Sequence, residues 1–481
     1  MLKLSYANCL SDRVGEHGLD PAHLAPGGEQ AEAIAAHTRR LASTRGKGME
    51  HWRELPFEPA RSQHVLAVKS LAERCRSKFG TLMVLGIGGS ALGNIALHTA
   101  LTPPTYNLLE AAKRSGPRLF VVDNVDPSHF GDILEFCRSQ PGGLQRTLFN
   151  VISKSGETAE TAAQFMVVRE ALRQALGTNY APNIVAITDP AVGTMRQICE
   201  NEGYQTLAVP DGVGGRFSVL SPVGLFSAAM CGIDIDSLLT GAADMDKCCS
   251  RDDLSTNPAA MLATLLVELG HTKGKINHVL MPYSNALYSF ADWFRQLWAE
   301  SLGKRVSRTG QTVFAGFTPI KALGTTDQHS QMQLFREGPN DKVIGIVEVE
   351  HFDEHPRGVH GDVRIPSGLG DSALEYLENR TMSELLHAEK RATEYALVES
   401  QRPNFTLSFP KLDAYHVGQF IALWEITTAY AGLLLNIDAY DQPAVELGKQ
   451  ATFGLMGKRG FENFRAKVDS VLSASTRVIA E

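Results

Sequence analysis

TLMVLGIGGSALG, residues 81–93, decides how the rest of the chain is read. A short apolar run, Thr81 to Leu85, breaks into Gly86, Gly88 and Gly89. Ser90, Ala91 and Leu92 then open an amphipathic stretch. Strand, glycine turn and helix in that order mark an α/β unit. Glycines let backbone N–H groups approach an anion, and a helix start offers its positive end. The turn also fits GxGxxA, so a dinucleotide site has to be weighed against a tight turn with no ligand. Glu110 stands too far downstream for the ribose carboxylate, in a segment that does not read as a strand end.

The same rhythm continues outward. RLFVVDN (118–124), TLFNVIS (147–153), NIVAITD (183–189) and QTLAVP (205–210) are short, β-rich and bounded by turn residues. Helix-length stretches such as ETAAQFMVVREALRQALG (160–177) separate them. Continuous apolar strands alternating with helices predict a parallel sheet covered on both faces. A polar stretch at 241–256 interrupts the series. INHVLMPYS (276–284), TVFAGF (312–317) and KVIGIVEVE (342–350) then start a second one. The expected fold class is α/β: two doubly wound, flavodoxin-like parallel-sheet domains at 79–255 and 256–440. Residues 1–78 are expected to be a helical extension without a strand, packed on the first core. Residues 441–481 are expected to be a helical arm, within a mostly helical last 110 residues.

Composition narrows the function. The chain has 481 residues, enough for about three average domains. Apolar residues make up 43% and charged residues 21%, which excludes a disordered or fibrous chain. Lys and Arg number 46 against 53 Asp and Glu, a net charge of −7, so no nucleic-acid face is expected. No run approaches 18 apolar residues, and the first 17 residues hold no apolar core of signal-peptide type. Neither a membrane span nor a secretory leader is expected. Seven cysteines, an odd number with no CxxC pair, fit a reducing, cytoplasmic setting and small buried side chains.

Chemistry concentrates in a second turn, Ser153-Lys154-Ser155-Gly156-Glu157-Thr158-Ala159-Glu160-Thr161. It packs four hydroxyls and one ammonium where a strand opens into a helix. A monophosphate needs several donors within a small radius, and this turn can supply them. An N-cap uses one hydroxyl, not four. No GxxxxGK[ST] occurs, so a nucleoside triphosphate is not indicated.

Four other segments carry isolated chemistry. Arg216 follows Gly214 and Gly215. Glu300 lies near the end of an aromatic-rich helix with Gln296, Trp293 and Trp298. His329 sits in the polar turn GTTDQH, and Lys449 follows Gln442 and Pro443 in the last segment. A third cluster, Glu348, Glu350, His351, Asp353, Glu354, His355, His360 and Asp362, raises the question of a metal. It follows a strand-like run and precedes Pro356, so it reads as an exposed loop and no metal site is expected.

IGIGGSALG, SKSGETAET, VGGRFSVLSPVGL, ESLGK, GTTDQHSQ and YDQPAVELGKQ, in this order, resemble the phosphoglucose isomerase (glucose-6-phosphate isomerase) family from about residue 80 to 455. The resemblance implies two sugar-isomerase domains and interconversion of glucose 6-phosphate and fructose 6-phosphate without metal, nucleotide or other cofactor. It puts the base that shuttles a proton between adjacent carbons on Glu300. Burial beside the two tryptophans would raise the pKa of that carboxyl. The cation facing the enediolate falls on Arg216, and ring opening on His329 and Lys449. The phosphate falls on Ser153, Lys154, Ser155 and Thr158, with Gly89 and Ser90 nearby and Gln296 and Gln442 on the sugar. The resemblance further implies a homodimer whose sites each borrow His329 from the other subunit. Against this stand a nicotinamide dehydrogenase built on GIGGSA and a sugar-phosphate-binding regulator, which turnover without nicotinamide separates.

Overall fold

A computed structural model describes residues 1–25, 27–352, 362–368 and 371–472. Among the described residues, twelve strands form two five-stranded sheets and one hairpin. β1 (Lys3–Ser5) belongs to the second sheet. The first sheet is built from β2 (Thr81–Leu85), β3 (Arg118–Val122), β4 (Thr147–Ile152), β5 (Ile184–Thr188) and β6 (Gln205–Ala208). Its order is β3-β2-β4-β5-β6, with every pair parallel. Numbered within the sheet this is 2-1-3-4-5, the flavodoxin-like winding, which reverses between β2 and β4. β2, β4 and β5 are buried along their whole length, as strands covered by helices on both faces must be.

The second half repeats the plan. β7 (Asn277–Pro282), β10 (Thr318–Lys321), β11 (Lys342–His351) and β12 (Asn404–Lys411) are mutually parallel in the order β12-β11-β7-β10. β1 closes the far edge, antiparallel to β12. The remaining strands, β8 (Lys304–Val306) and β9 (Thr312–Ala315), pair as a separate hairpin.

Three local readings are corrected. Residues 1–78 do contain a strand: β1 is three residues long, and it exists only because the edge of β12 offers hydrogen-bonding groups. The extension also reaches beyond the first core, since Lys3 to Ser5 pair with residues of the second sheet. TVFAGF supplies the outer hairpin strand, with Phe314 exposed, while the neighbouring Thr318–Lys321 enters the sheet. The last 110 residues are mostly helical, as expected, and also hold the interior strand β12, whose Phe405, Leu407 and Phe409 are buried.

Helices merge the halves. Helix Ala414–Leu434 is buried almost all round and packs on helix Ile235–Cys248, which takes up the first half of the polar stretch 241–256. One core cluster accordingly holds residues from both halves, and from the N-terminal extension through Ile34, Leu41 and Trp52. Arg53 and Arg45 fasten that extension by pairing with buried Asp246 at 3.0 and 2.5 Å. The last two helices, Ala444–Leu455 and Glu462–Leu472, pack on each other through Phe453 and Phe461, ring centres 5.2 Å apart. All seven cysteines are free thiols and six are buried. Among the described residues no helix is long and apolar enough to cross a membrane.

Helices Ile235–Cys248 and Ala414–Leu434 approach each other closely through glycines. A Cβ on Gly418 would stand 1.8 Å from the Leu238 carbonyl oxygen, and one on Gly241 1.8 Å from that of Tyr415. Gly418→Ala is therefore expected to destabilise the chain by about 1–3 kcal/mol, the range for overpacking. Gly448→Ala, in an exposed helix where a Cβ meets nothing, is the control and should be neutral or slightly stabilising. Urea unfolding of both variants measures the contrast, and equal midpoints would contradict the close approach.

Candidate active site

The site begins where the first sheet reverses. β2 runs into the turn Gly88–Ser90 and then helix Leu92–Leu101. Gly88 has φ +57°, a left-handed conformation that favours glycine, and a Cβ there would lie 2.8 Å from Gln296 Nε2. A Cβ on Gly89 would lie 2.1 Å from the Gly215 carbonyl oxygen. The glycines thus let two turns, 88–90 and 215–217, pack backbone to backbone.

β4 ends in the second turn and opens helix Ala159–Leu176. Ser153 Oγ accepts from the Gly156 N–H at 3.0 Å, and Ser155 Oγ from the Glu157 N–H at 3.1 Å. Thr158 occupies the N-cap position but its hydroxyl makes no cap bond. Lys154 is exposed, and its carbonyl is held by Thr188 Oγ1 at 3.0 Å. Between the two turns lies a cleft of about 570 Å³ lined by Ser90, Ser153, Lys154, Ser155, Thr158, Gln442 and Lys449, seven of the residues expected from sequence. Thr161, the fourth hydroxyl of that turn, also lines it, and so does Asp189, which was not expected. Asp189 ends NIVAITD, so its position at a strand terminus was the available signal.

Beside the cleft stands an ionic cluster. Arg216 is carried by the short turn Gly215–Phe217 and is buried. Its Nη1 lies 3.2 Å from Glu300 Oε1 and donates to Gln442 Oε1 at 3.1 Å. Its Nη2 donates to the carbonyls of Ala439 at 3.1 Å and Asp441 at 3.3 Å. Nε is buried with no partner among the described residues. Burial pulls the guanidinium below its ordinary pKa, against the attraction of Glu300. It stays charged in any case.

Glu300 sits in the last turn of helix Tyr288–Leu302, with its side chain 26% exposed. Gln296, one turn earlier, donates to its Oε2 at 3.0 Å. Trp298 does not shelter this carboxylate as the sequence reading supposed. Trp298, two residues away, points about 200° round the helix. It lies in the core against Trp424 and donates to His278 Nδ1 at 3.0 Å. Arg216 and Gln296 form the actual surroundings. Lys304, the last residue of ESLGK, was given no role from sequence. It is buried and donates to the carbonyls of Glu300 at 2.9 Å and Ser301 at 2.8 Å, with Asp441 at 3.6 Å. Burial and neighbouring Arg216 lower its pKa.

Lys449 is exposed on helix Ala444–Leu455 and donates to Glu446 Oε1 at 2.7 Å. His329 is not among the cleft residues. It is exposed on the turn Thr326–His329, which follows β10. That turn is fixed by Gln328, which donates to Tyr283 OH and Thr393 Oγ1, both at 2.8 Å. Of the acidic and histidine-rich cluster, Glu348 pairs with Lys390 at 3.1 Å and Glu350 with Lys3 at 2.8 Å. His351 ends β11 and is exposed, and Asp362 accepts from the Ser383 N–H at 3.1 Å. Asp353, Glu354, His355 and His360 lie outside the described residues.

Known proteins share this arrangement. The family model "Phosphoglucose isomerase" matches residues 69–471. A glucose-6-phosphate isomerase of Carboxydothermus hydrogenoformans is 43% identical over 473 residues, 97% of each chain. One of Rubrobacter xylanophilus is 44% identical, covering 90% of this chain and 95% of its own. A crystal structure of a hypothetical protein from Thermus thermophilus superposes with a TM-score of 0.80 at 35% identity, covering 95% of this chain and all of that one. The crystal structure of a glucose-6-phosphate isomerase from Chlamydia trachomatis gives 0.76 at 25% identity, covering 92% and 88%. Matched over most of its length by this family model and by these relatives, the chain belongs to the phosphoglucose isomerase family.

Proposed function

We propose that the chain interconverts D-glucose 6-phosphate and D-fructose 6-phosphate by ring opening and proton transfer through a cis-enediolate. The observation that carries this reading is the Arg216–Glu300–Gln296 cluster beside a hydroxyl-rich cleft. An aldose–ketose isomerisation needs no external oxidant or reductant. A base removes the proton on C2 of the open aldose and returns it to C1, while the carbonyl and hydroxyl exchange places. Glu300 suits that task because Gln296 and Arg216 fix both its oxygens. Arg216, held by four polar contacts, offers a preorganised positive charge to the enediolate oxygen.

The phosphate falls to Ser153, Lys154, Ser155 and Thr158, with Ser90 and Gly89 on the facing turn. The free Thr158 hydroxyl supports this assignment. Gln442, already bonded to Arg216, lies where it can read a sugar hydroxyl. Lys449 borders the cleft and acts in ring opening. Its partner in that step is His329 from the second subunit of a homodimer, a reading supported by the exposure of His329 away from its own cleft. Residues 79–255 and 256–440 serve as the two sugar-isomerase domains, 1–78 as the extension and 441–481 as the arm. Seven free thiols suit a cytoplasmic setting.

Glu300→Gln preserves shape and removes the base. Turnover of fructose 6-phosphate, coupled to a downstream reporter with EDTA present, is expected to fall by about 10²–10⁴ with sugar-phosphate binding retained. Retention of more than about a tenth of the wild-type rate would move the base elsewhere.

Thr158→Ala is expected to weaken inhibition by a phosphorylated sugar acid about tenfold or more, the cost of one charge-assisted hydrogen bond. Because Thr158 makes no cap bond, the melting temperature without ligand should not change. Unaltered inhibition would place the phosphate on the 86–91 turn.

For the shared site, chains carrying Glu300→Gln and chains carrying His329→Ala are unfolded, mixed and refolded together. About half the dimers are hybrids with one intact site each, so about a quarter of wild-type activity should return. Each variant refolded alone should stay inactive. Hybrids confirmed by mass but without activity would confine His329 to its own chain.

A further inference from the structure

The second sheet carries a counterpart of the cleft. β2 passes through the turn Gly88–Ser90 into helix Leu92–Leu101, and β7 passes through the turn Asn285–Leu287 into helix Tyr288–Leu302. The local sequences correspond: Gly89-Ser90-Ala91-Leu92 in one, Ser284-Asn285-Ala286-Leu287 in the other. Each lies where its sheet reverses, with β4 beside β2 and β11 beside β7. Crevices at the carboxyl ends of such strands are where open α/β sheets bind ligands.

A cavity of about 550 Å³ opens at this second position. It is lined by Ser284 and Asn285 beyond β7, by His351 and Phe352 at the end of β11, by Leu412 beyond β12, and by His98 and Leu386. Among the described residues that line it there is no Lys, Arg, Asp or Glu, in contrast to Lys154 in the first cleft. A phosphate dianion there would meet no Lys or Arg, only the two imidazoles of His98 and His351. His98 adds no charge at neutral pH, because burial pushes it down to about 4. Its Nε2 is buried with no partner among the described residues. Mainly apolar walls with a few polar groups, in this range of volume, characterise small-molecule sites.

We infer that this cavity is a second ligand site of the chain, for an uncharged ring compound with one polar edge, and that it does not take sugar phosphates. Rings pack between Phe352, Leu386 and Leu412, and the polar edge faces Ser284 and Asn285. The inference rests on the fold and the lining, independently of the chemistry proposed for the first cleft. One wall is helix Leu92–Leu101, through His98 and Thr99, and this helix begins at the Gly88–Ser90 turn of the first cleft. Thr99 Oγ1 accepts from Ser289 Oγ at 3.2 Å, which ties that wall to helix Tyr288–Leu302.

The test titrates the full chain with 2-naphthol, two rings and one hydroxyl, by calorimetry and ligand-observed NMR. A Kd of about 1 mM or tighter is expected, within reach of a ligand of this size. 2-Naphthoate, the charged analogue, should bind at least tenfold more weakly, and saturating fructose 6-phosphate should not displace 2-naphthol. Ala286→Phe and Leu386→Trp each fill the cavity from a different wall. Each should weaken 2-naphthol at least tenfold while isomerase turnover stays within twofold, and either suffices if the other fails to fold. No binding, binding unaffected by the filling variants, equal binding of the naphthoate, or displacement by fructose 6-phosphate would each overturn the inference.

Discussion

Arg216 is the interaction around which the site is arranged. A buried guanidinium needs acceptors for most of its N–H groups, because leaving them bare costs several kcal/mol. Those of Arg216 come from two other parts of the chain: Glu300 from the second-half helix, and the segment 439–442 through the carbonyls of Ala439 and Asp441 and the side chain of Gln442. Satisfying one cation thus fixes three otherwise unrelated segments against each other. Aromatic packing holds the same place from behind. Trp52 stacks on Phe217 at 4.9 Å, and Phe217 meets Tyr440 at 5.4 Å. The N-terminal extension, which carries no motif of its own, therefore supports the arginine turn.

What sequence made legible follows from which interactions are local. The glycine turn and the hydroxyl turn were readable because backbone sterics and donor density leave a local imprint. The parallel strands were readable because burial on both faces demands continuous apolar runs. β1 was not, because three residues become a strand only through distant β12. β12 did alternate, as Phe405, Leu407 and Phe409, but Thr406 and Ser408 between them are also buried through bonds to Glu394 and Glu348. That polar content masked a central strand. TVFAGF misled in the opposite sense, since its Val313 and Phe314 are exposed on a hairpin and only Phe317, beyond that strand, enters the core. The environment of Glu300 was misjudged because neighbours in sequence were taken for neighbours in space. On a helix the residues three and four away share a face, and these led to Gln296 rather than Trp298.

The two halves share one winding yet contribute differently to the site. The first half gives two turns at strand ends, each opening a helix toward the cleft, so partial positive charge converges where an anion would lie. The second half contributes the other end of a helix. Glu300 stands in the last turn of Tyr288–Leu302, where exposed carbonyls carry partial negative charge and a carboxylate is disfavoured. Two buried cations answer this. Lys304 takes the carbonyls of Glu300 and Ser301, neutralising the helix end itself, while Arg216 meets the carboxylate. Without Lys304 the arginine would have to offset both the carboxylate and the helix end. With it, Arg216 keeps positive character to spare for a negative oxygen on the reacting sugar. A carboxylate at a helix terminus therefore has a physical rationale: two cations surround Glu300, and its oxygens are held by Arg216 and by the neutral amide of Gln296, which suits the role of base proposed for it.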